Sequence, residues 1–261
     1  LWRTGIYVTG KTVNHVSTTQ GGPPMKGTLY CIGVGPGDPE LLTVKAVKYI
    51  RNCPVLAVPQ GHTGVTTAKS ILLQAIENGA AVDLQDKLIL TVDFPMTRDA
   101  AVLAKAHAAG ATAIEAQLQQ GRDVALITLG CPTVYASSIY VHRRIRDDGY
   151  ATEIIPGVPS FCAAAARLQQ PLCEQDEPLT IIPGGRKDRK ALLSAPGSKI
   201  IMKPSDPFAS LKQDLQDTQQ LADTTMIERC GLPGETIYHS LDDVERTAYF
   251  SVLLVKEKKK V

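Results

Sequence analysis

The stretch Thr28-Leu29-Tyr30-Cys31-Ile32-Gly33-Val34-Gly35-Pro36-Gly37-Asp38 decides how this chain folds. Residues 28–34 are mostly β-branched or apolar, Gly35-Pro36-Gly37 interrupts the run, and Leu41 to Ile50 takes up helical spacing. The reading is strand, glycine turn, helix. Asp38-Pro39 suits a helix start, because Asp accepts backbone N–H bonds at the N-cap and Pro lacks an N–H that would find no partner at the next position. A dinucleotide fingerprint, GxGxxG, requires glycine where Asp38 stands, and Pro36 stiffens the middle of the turn, so the corner is not of that kind.

Working outward, the alternation continues. A buried strand is expected over Val55 to Val58, a helix over Val65 to Asn78, a strand over Leu88 to Val92 and an Ala-rich helix from Arg98 to Gln119. Then come a strand over Val124 to Leu129, a helix over Val134 to Asp147 and a strand over Thr152 to Ile155. Repeated β-α units need crossover connections, which favour a largely parallel sheet covered by helices. After the helix Ser160 to Leu168 the pattern changes to strands over Leu179 to Ile182, Lys199 to Met202, Thr225 to Glu228, Thr236 to Leu241 and Tyr249 to Val255, with one helix over Pro207 to Gln220. That predicts a second α+β lobe with a mixed sheet. The boundary is expected between residues 150 and 172, giving an N-terminal domain over 25–157 and a C-terminal domain over 158–261. Leu1 to Pro24, ahead of Met25, reads as an upstream extension, and the Lys256 to Lys260 run as a solvated tail.

Composition narrows the function. With 261 residues, 44% hydrophobic, the chain has enough apolar material for two modest cores. A formal net charge of +2 and 5% aromatics leave no global field and no aromatic-studded basic stripe for nucleic acid. Cys31, Cys53, Cys131, Cys162, Cys173 and Cys230 are scattered without a CxxC pair, as expected of free, mostly buried thiols in a cytoplasmic protein. His62, His107, His142 and His239 lack ligand spacing, so no protein-bound metal is expected. No run approaches the ~20 apolar residues that span a bilayer, and none has a signal-peptide pattern.

Two further corners follow strands. Gly130-Cys131-Pro132-Thr133-Val134-Tyr135 fixes the backbone with small and φ-restricted residues and is expected to place Tyr135 one turn into a helix. Pro156-Gly157-Val158-Pro159-Ser160-Phe161, followed by Cys162 and Ala163 to Ala166, offers Ser160 as an N-cap and a small-residue helix face for close packing. Asp38 has two compatible readings, an N-cap or a carboxylate facing a substrate; at a helix N-terminus it is favoured in its charged form and able to accept a proton.

The order and spacing of these three corners, with Glu228 to Ile237 and Tyr249 to Val255 beyond them, resemble the tetrapyrrole methylase family from Lys26 to Val255. Tyr140-Val141-His142-Arg143-Arg144, Thr152 to Gly157 and Ser160 to Leu168 are similar to its branch that methylates carbon 20 of precorrin-2 or cobalt-factor II in cobalamin biosynthesis. One departure is Cys131, where the family commonly has Asp. If that position acts through its backbone, cofactor binding survives; if the carboxylate matters, activity is put in question.

The resemblance implies an α/β, two-domain fold with a largely parallel five-stranded first sheet and a mixed-sheet second domain, an S-adenosylmethionine cofactor folded in the cleft between them, and a homodimer. It places Pro36, Gly130, Cys131, Pro132 and Tyr135 at the cofactor, with Ser160 and Phe161 close by, and Met202, Cys230, Phe250 and Ser251 around the adenine and ribose. Asp38 and the Tyr249 hydroxyl become the candidate proton acceptors. Arg143, Arg144, Arg146 and Lys187 are candidate partners for substrate carboxylates. Rival readings are another methyltransferase of the same superfamily, or a non-catalytic tetrapyrrole-binding protein, for which Cys131 is the motive.

Overall fold

A computed structural model describes residues 26–60, 66–204 and 207–257. The expected extension over residues 1–24 and the end of the lysine-rich tail lie outside the described residues. So does His62.

β1 (Leu29–Gly33) is the strand the opening motif predicts, and it lies inside a wholly parallel sheet. Its neighbours are β4 (Val124–Thr128) and β5 (Thr152–Ile155), while β2 (Val55–Gln60) and β3 (Leu88–Asp93) extend the sheet in the order β3-β2-β4-β1-β5. β1 and β4 read as unbroken apolar runs because both faces are covered, as parallel sheets require. Ile32, Leu56 and Ile127 meet Ala46 and Ile50 of α1 (Val44–Asn52) and Ile71 and Leu72 of α2 (Thr67–Glu77). On the other face Cys31, Val55 and Leu126 meet Ile114 and Leu118 of α3 (Ala100–Leu118) and Val141 and Ile145 of α4 (Ser138–Asp147).

α5 (Ser160–Arg167) leads to a mixed sheet of β6 (Leu179–Pro183), β7 (Ser198–Met202), β8 (Thr224–Glu228), β9 (Thr236–Tyr238) and β10 (Ser251–Val255). The order is β6-β7-β10-β8-β9; β6 and β7 are parallel and the other pairings antiparallel. One face carries Ile200, Ile227 and Leu254 against Phe161 and Ala164 of α5. The other carries Ile201, Met226 and Leu253 against α6 (Arg189–Leu193) and α7 (Phe208–Asp217).

Four local expectations are corrected. α1 starts after Thr43, whose Oγ1 accepts the Ala46 N–H at 3.1 Å, and Asp38 instead caps a single 3-10 turn, Pro39–Leu41. α4 starts at Ser138 rather than Val134, because Tyr135 has φ 48° and a left-handed residue cannot continue a right-handed helix. Ser160 is the first residue of α5, Pro159 holds the cap position, and no side chain caps that helix. β10 begins at Ser251, so Tyr249 and Phe250 lie in the turn before it. α6 was not anticipated; it positions Arg189, which is 7% exposed and donates from Nε to Asp214 at 2.8 Å and from Nη1 to the Gly184 carbonyl.

Candidate active site

Parallel strands all deliver their carboxyl ends to one edge of the sheet, and the three glycine corners meet there. Gly35 and Gly130 exchange backbone hydrogen bonds, with N···O distances of 3.3 and 2.7 Å. A Cβ on Gly33 would stand 2.4 Å from the Gly130 carbonyl oxygen, and one on Gly157 would stand 2.3 Å from the same atom. The corners after β1, β4 and β5 therefore pack backbone against backbone, which only glycine allows. A second contact of this type joins the two lobes: a Cβ on Gly37 would lie 2.3 Å from the Cys230 carbonyl oxygen, and Gly231, at φ +71°, leaves its own Cβ position 2.5 Å from the Asp38 nitrogen.

Between these contacts lies a cleft of about 280 Å³. Pro36, Gly130, Cys131, Tyr135 and Ser160 line it from one side, and Met202, Cys230, Tyr249, Phe250 and Ser251 from the other. Three of the residues expected at the cofactor or in proton transfer do not. Phe161 is buried in the core between α5 and the second sheet. Pro132 borders a second cavity of about 670 Å³, which shares Met96, Tyr135, Ala136, Ser137 and Tyr249 with the first. Asp38 turns its carboxylate to the Glu40 N–H at 2.9 Å, and it borders neither cavity.

Individual contacts define what the cleft can do. Tyr135 reaches across it: its hydroxyl donates to the Ile181 carbonyl at 3.4 Å, and its own carbonyl accepts from Lys203 Nζ at 3.1 Å. The Lys203 ammonium also stands 5.7 Å from the centre of the Tyr249 ring, which meets Phe250 edge to face at 5.1 Å. Cys131 Sγ lies 3.0 Å from Thr133 Oγ1. Burial pushes the Cys230 thiol up to about 11, so it is a neutral, apolar part of the wall. The Ser251 hydroxyl is held by its own turn, 2.6 Å from the Ala248 carbonyl and 3.1 Å from Glu228 Oε1.

Sequence reasoning missed several lining residues. Thr128 and Ser138 are 9% and 2% exposed, and the Ser138 hydroxyl is buried without a hydrogen-bond partner. Thr128 had a signal, a polar residue closing the otherwise apolar run Val124-Ala125-Leu126-Ile127. Ser137, Ser138 and Lys203 had none beyond their nearness to a corner.

Of the expected carboxylate partners, Arg144 lies 3.7 Å from Asp148 and Arg146 2.7 Å from Asp147. Arg143 stands 6.0 Å from the Tyr140 ring centre, and neither it nor Lys187 borders a cavity. Arg98, not anticipated, lines the second cavity beside His107 and Tyr140, whose rings stack at 5.0 Å.

Residues 28–244 match the family described as Tetrapyrrole (Corrin/Porphyrin) Methylases. The chain belongs to that family and is an S-adenosylmethionine-dependent methyltransferase. It is 30% identical to the cobalt-precorrin-2 C(20)-methyltransferase of Salmonella typhimurium, over 90% of this chain and 98% of that one. It is 28% identical to the precorrin-2 C(20)-methyltransferase of a Sinorhizobium species, over 88% of this chain and 95% of the other. The fold is that of a solved cobalt precorrin-4 methyltransferase, with a TM-score of 0.67 at 19% identity, covering 92% of this chain and 98% of that one.

The cleft suits the donor. Among the described residues lining it, Lys203 alone is charged, so the fit to the donor rests on apolar and hydrogen-bonding surface and not on a countercharge to the sulfonium. The buried Ser138 hydroxyl is free to bond a polar group, and Val134, Met202 and Phe250 offer apolar surface to a purine.

Proposed function

We propose that this chain transfers a methyl group from S-adenosylmethionine to carbon 20 of precorrin-2 or of its cobalt-containing form, a step of corrin-ring biosynthesis. The observation that carries the reading is the meeting of two cavities at Tyr135 and Tyr249: a narrow, weakly charged cleft beside a larger one walled by aromatic rings and an arginine. A compact donor and a flat, carboxylate-bearing acceptor require two such spaces with one shared border.

In this reading Pro36, Gly130, Cys131, Tyr135 and Ser160 hold the methionine part of the cofactor, and Met202, Cys230, Phe250 and Ser251 its adenosine. Pro132 and Phe161 act indirectly, by fixing the corner and the start of α5. When bound, the sulfonium supplies an electrophilic methyl group. The protein contributes alignment of donor and acceptor and exclusion of water from the junction. The carbon-20 proton must then leave. The Tyr249 hydroxyl relays it, its oxygen taking the carbon-20 proton as its own proton passes to water, since the Tyr249 side chain borders both cavities and is 45% exposed. Asp38 serves the corner through its bond to Glu40. The domain boundary falls at residues 157 and 158, between β5 and α5; the working form is a homodimer in the cytoplasm.

The test is incubation with methyl-labelled S-adenosylmethionine and either tetrapyrrole, followed by mass measurement and location of the new methyl. One added methyl at carbon 20 supports the reading. A methyl at another carbon assigns the chain to a different reaction of its family, and binding of either tetrapyrrole without transfer contradicts the reading of this substrate.

A further inference from the structure

Lys203 is out of place in the cleft as it stands. It is the one charged side chain among the described residues that line the cofactor cleft, and it is exposed at the end of β7 with its backbone at φ 50°. A non-glycine residue in the left-handed region is held there by its surroundings, and such residues gather at functional sites. Its ammonium makes no salt bridge among the described residues. The groups it meets are neutral, the Tyr135 carbonyl at 3.1 Å and the Tyr249 ring at 5.7 Å. Both Tyr135 and Tyr249 border the second cavity as well, so Lys203, which itself lines only the first, touches two of the residues that the two spaces share.

Electrostatics make this arrangement incomplete. A sulfonium in the cleft is a cation, and an ammonium close to it is repulsive unless an anion, the donor's own carboxylate or one on the acceptor, comes between or beside them. A carboxylate also binds an ammonium more strongly than a neutral backbone carbonyl does, so an arriving acid displaces the Tyr135 contact. In the second cavity Arg98 is the one guanidinium among the described lining residues, and burial holds the nearby His107 imidazole below its ordinary value, which disfavours its charged form. Among the described residues the acceptor thus has one fixed cation in its own cavity, Arg98, and a second, Lys203, in the adjoining cleft.

We infer that Lys203 is a substrate-positioning residue: it takes a peripheral carboxylate of the tetrapyrrole at the border of the two cavities and so sets the register of the macrocycle against the methyl donor. The inference rests on the reading given under Proposed function and adds the group that recognises the acceptor's acid side chains.

The test uses the full chain, the variants Lys203→Met and Lys203→Arg, cobalt-precorrin-2 and its fully methyl-esterified form, and S-adenosylhomocysteine. Lys203→Met is expected to raise KM for the acid roughly tenfold, the value of one charge-assisted contact. Lys203→Arg restores most of that loss, and the affinity for S-adenosylhomocysteine by calorimetry changes less than about twofold. The ester, which has no carboxylate to offer, is bound equally by wild type and Lys203→Met. An unchanged KM in Lys203→Met overturns the inference. So does a matching loss of S-adenosylhomocysteine affinity, which assigns the ammonium to the cofactor's own carboxylate, or a loss in ester binding equal to the loss in acid binding, which makes the role structural. If wild type transfers no methyl to the tetrapyrrole, this inference and the functional reading fall together; if wild type is active and only the Lys203 effect is missing, this inference alone fails.

Discussion

Gly157 has room for a hydrogen atom and nothing larger, because a Cβ there would sit 2.3 Å from the Gly130 oxygen. Gly157→Ala must push the β4 and β5 corners apart, and we expect a loss of at least ~2 kcal/mol in denaturant unfolding together with weakened S-adenosylhomocysteine binding. An alanine variant of wild-type stability and affinity would show that the corners yield. The proton acceptor is tested at the same scale. Asn caps as well as Asp, so Asp38→Asn should keep turnover within about twofold and leave stability unchanged. Tyr249→Phe should lower kcat about 100-fold with little change in cofactor affinity, and the opposite pattern would return the role to the carboxylate. The glycines of both corners were legible in the sequence, because close backbone approach leaves a direct mark on residue type. The bond between the Asp38 carboxylate and Glu40 was legible as a cap, but the direction it leaves the side chain facing was not.

Among the elements, α4 shows where local pattern stops being informative. Val134 and Tyr135 fit its apolar spacing, yet Tyr135 is drawn out of the helix at φ 48° by contacts 46 and 68 residues away, at Ile181 and Lys203. Nothing in a window of one helix encodes those partners. The strands of the first sheet were legible throughout: in β1, β2 and β4 burial on both faces writes an apolar run, while the mostly exposed edge strand β3 shows through its β-branched residues; short α6, with five residues, gave too little periodicity to find.

α4 also carries a pH prediction. His142 is 7% exposed, and its imidazole is held below the ordinary value of 6.5 first by burial and then by the neighbouring Arg146 and Arg143, against a smaller opposing effect of Asp147. The unfolded chain therefore takes up the proton before the folded one does. Its contribution is present above about pH 6.5 and is lost as pH falls toward the depressed folded value. We expect unfolding free energy to decline from pH 6.5 to pH 5 more steeply in wild type than in His142→Gln, as followed by urea titrations at each pH; parallel curves would remove His142 as the cause.

At the scale of the molecule, the two sheets are joined at a glycine contact, Gly37 against Cys230 and Gly231 against Asp38, with Tyr135 and Lys203 bridging the opening. Alternating β-α units announced the first lobe and a run of strands the second, but the way they face each other depends on pairs such as Gly37 and Gly231, nearly 200 residues apart. The resemblance to a known family supplied that arrangement where the physical reading of the chain could not. Cofactor binding in the cleft should tie both lobes together, which gives the most direct test. Backbone hydrogen exchange, measured with and without S-adenosylhomocysteine, is predicted to slow at residues 128–138, at 228–232 and at 249–252, on both sides of the cleft at once. Protection confined to one lobe, or located at β3 and the start of α3 instead, would contradict the account.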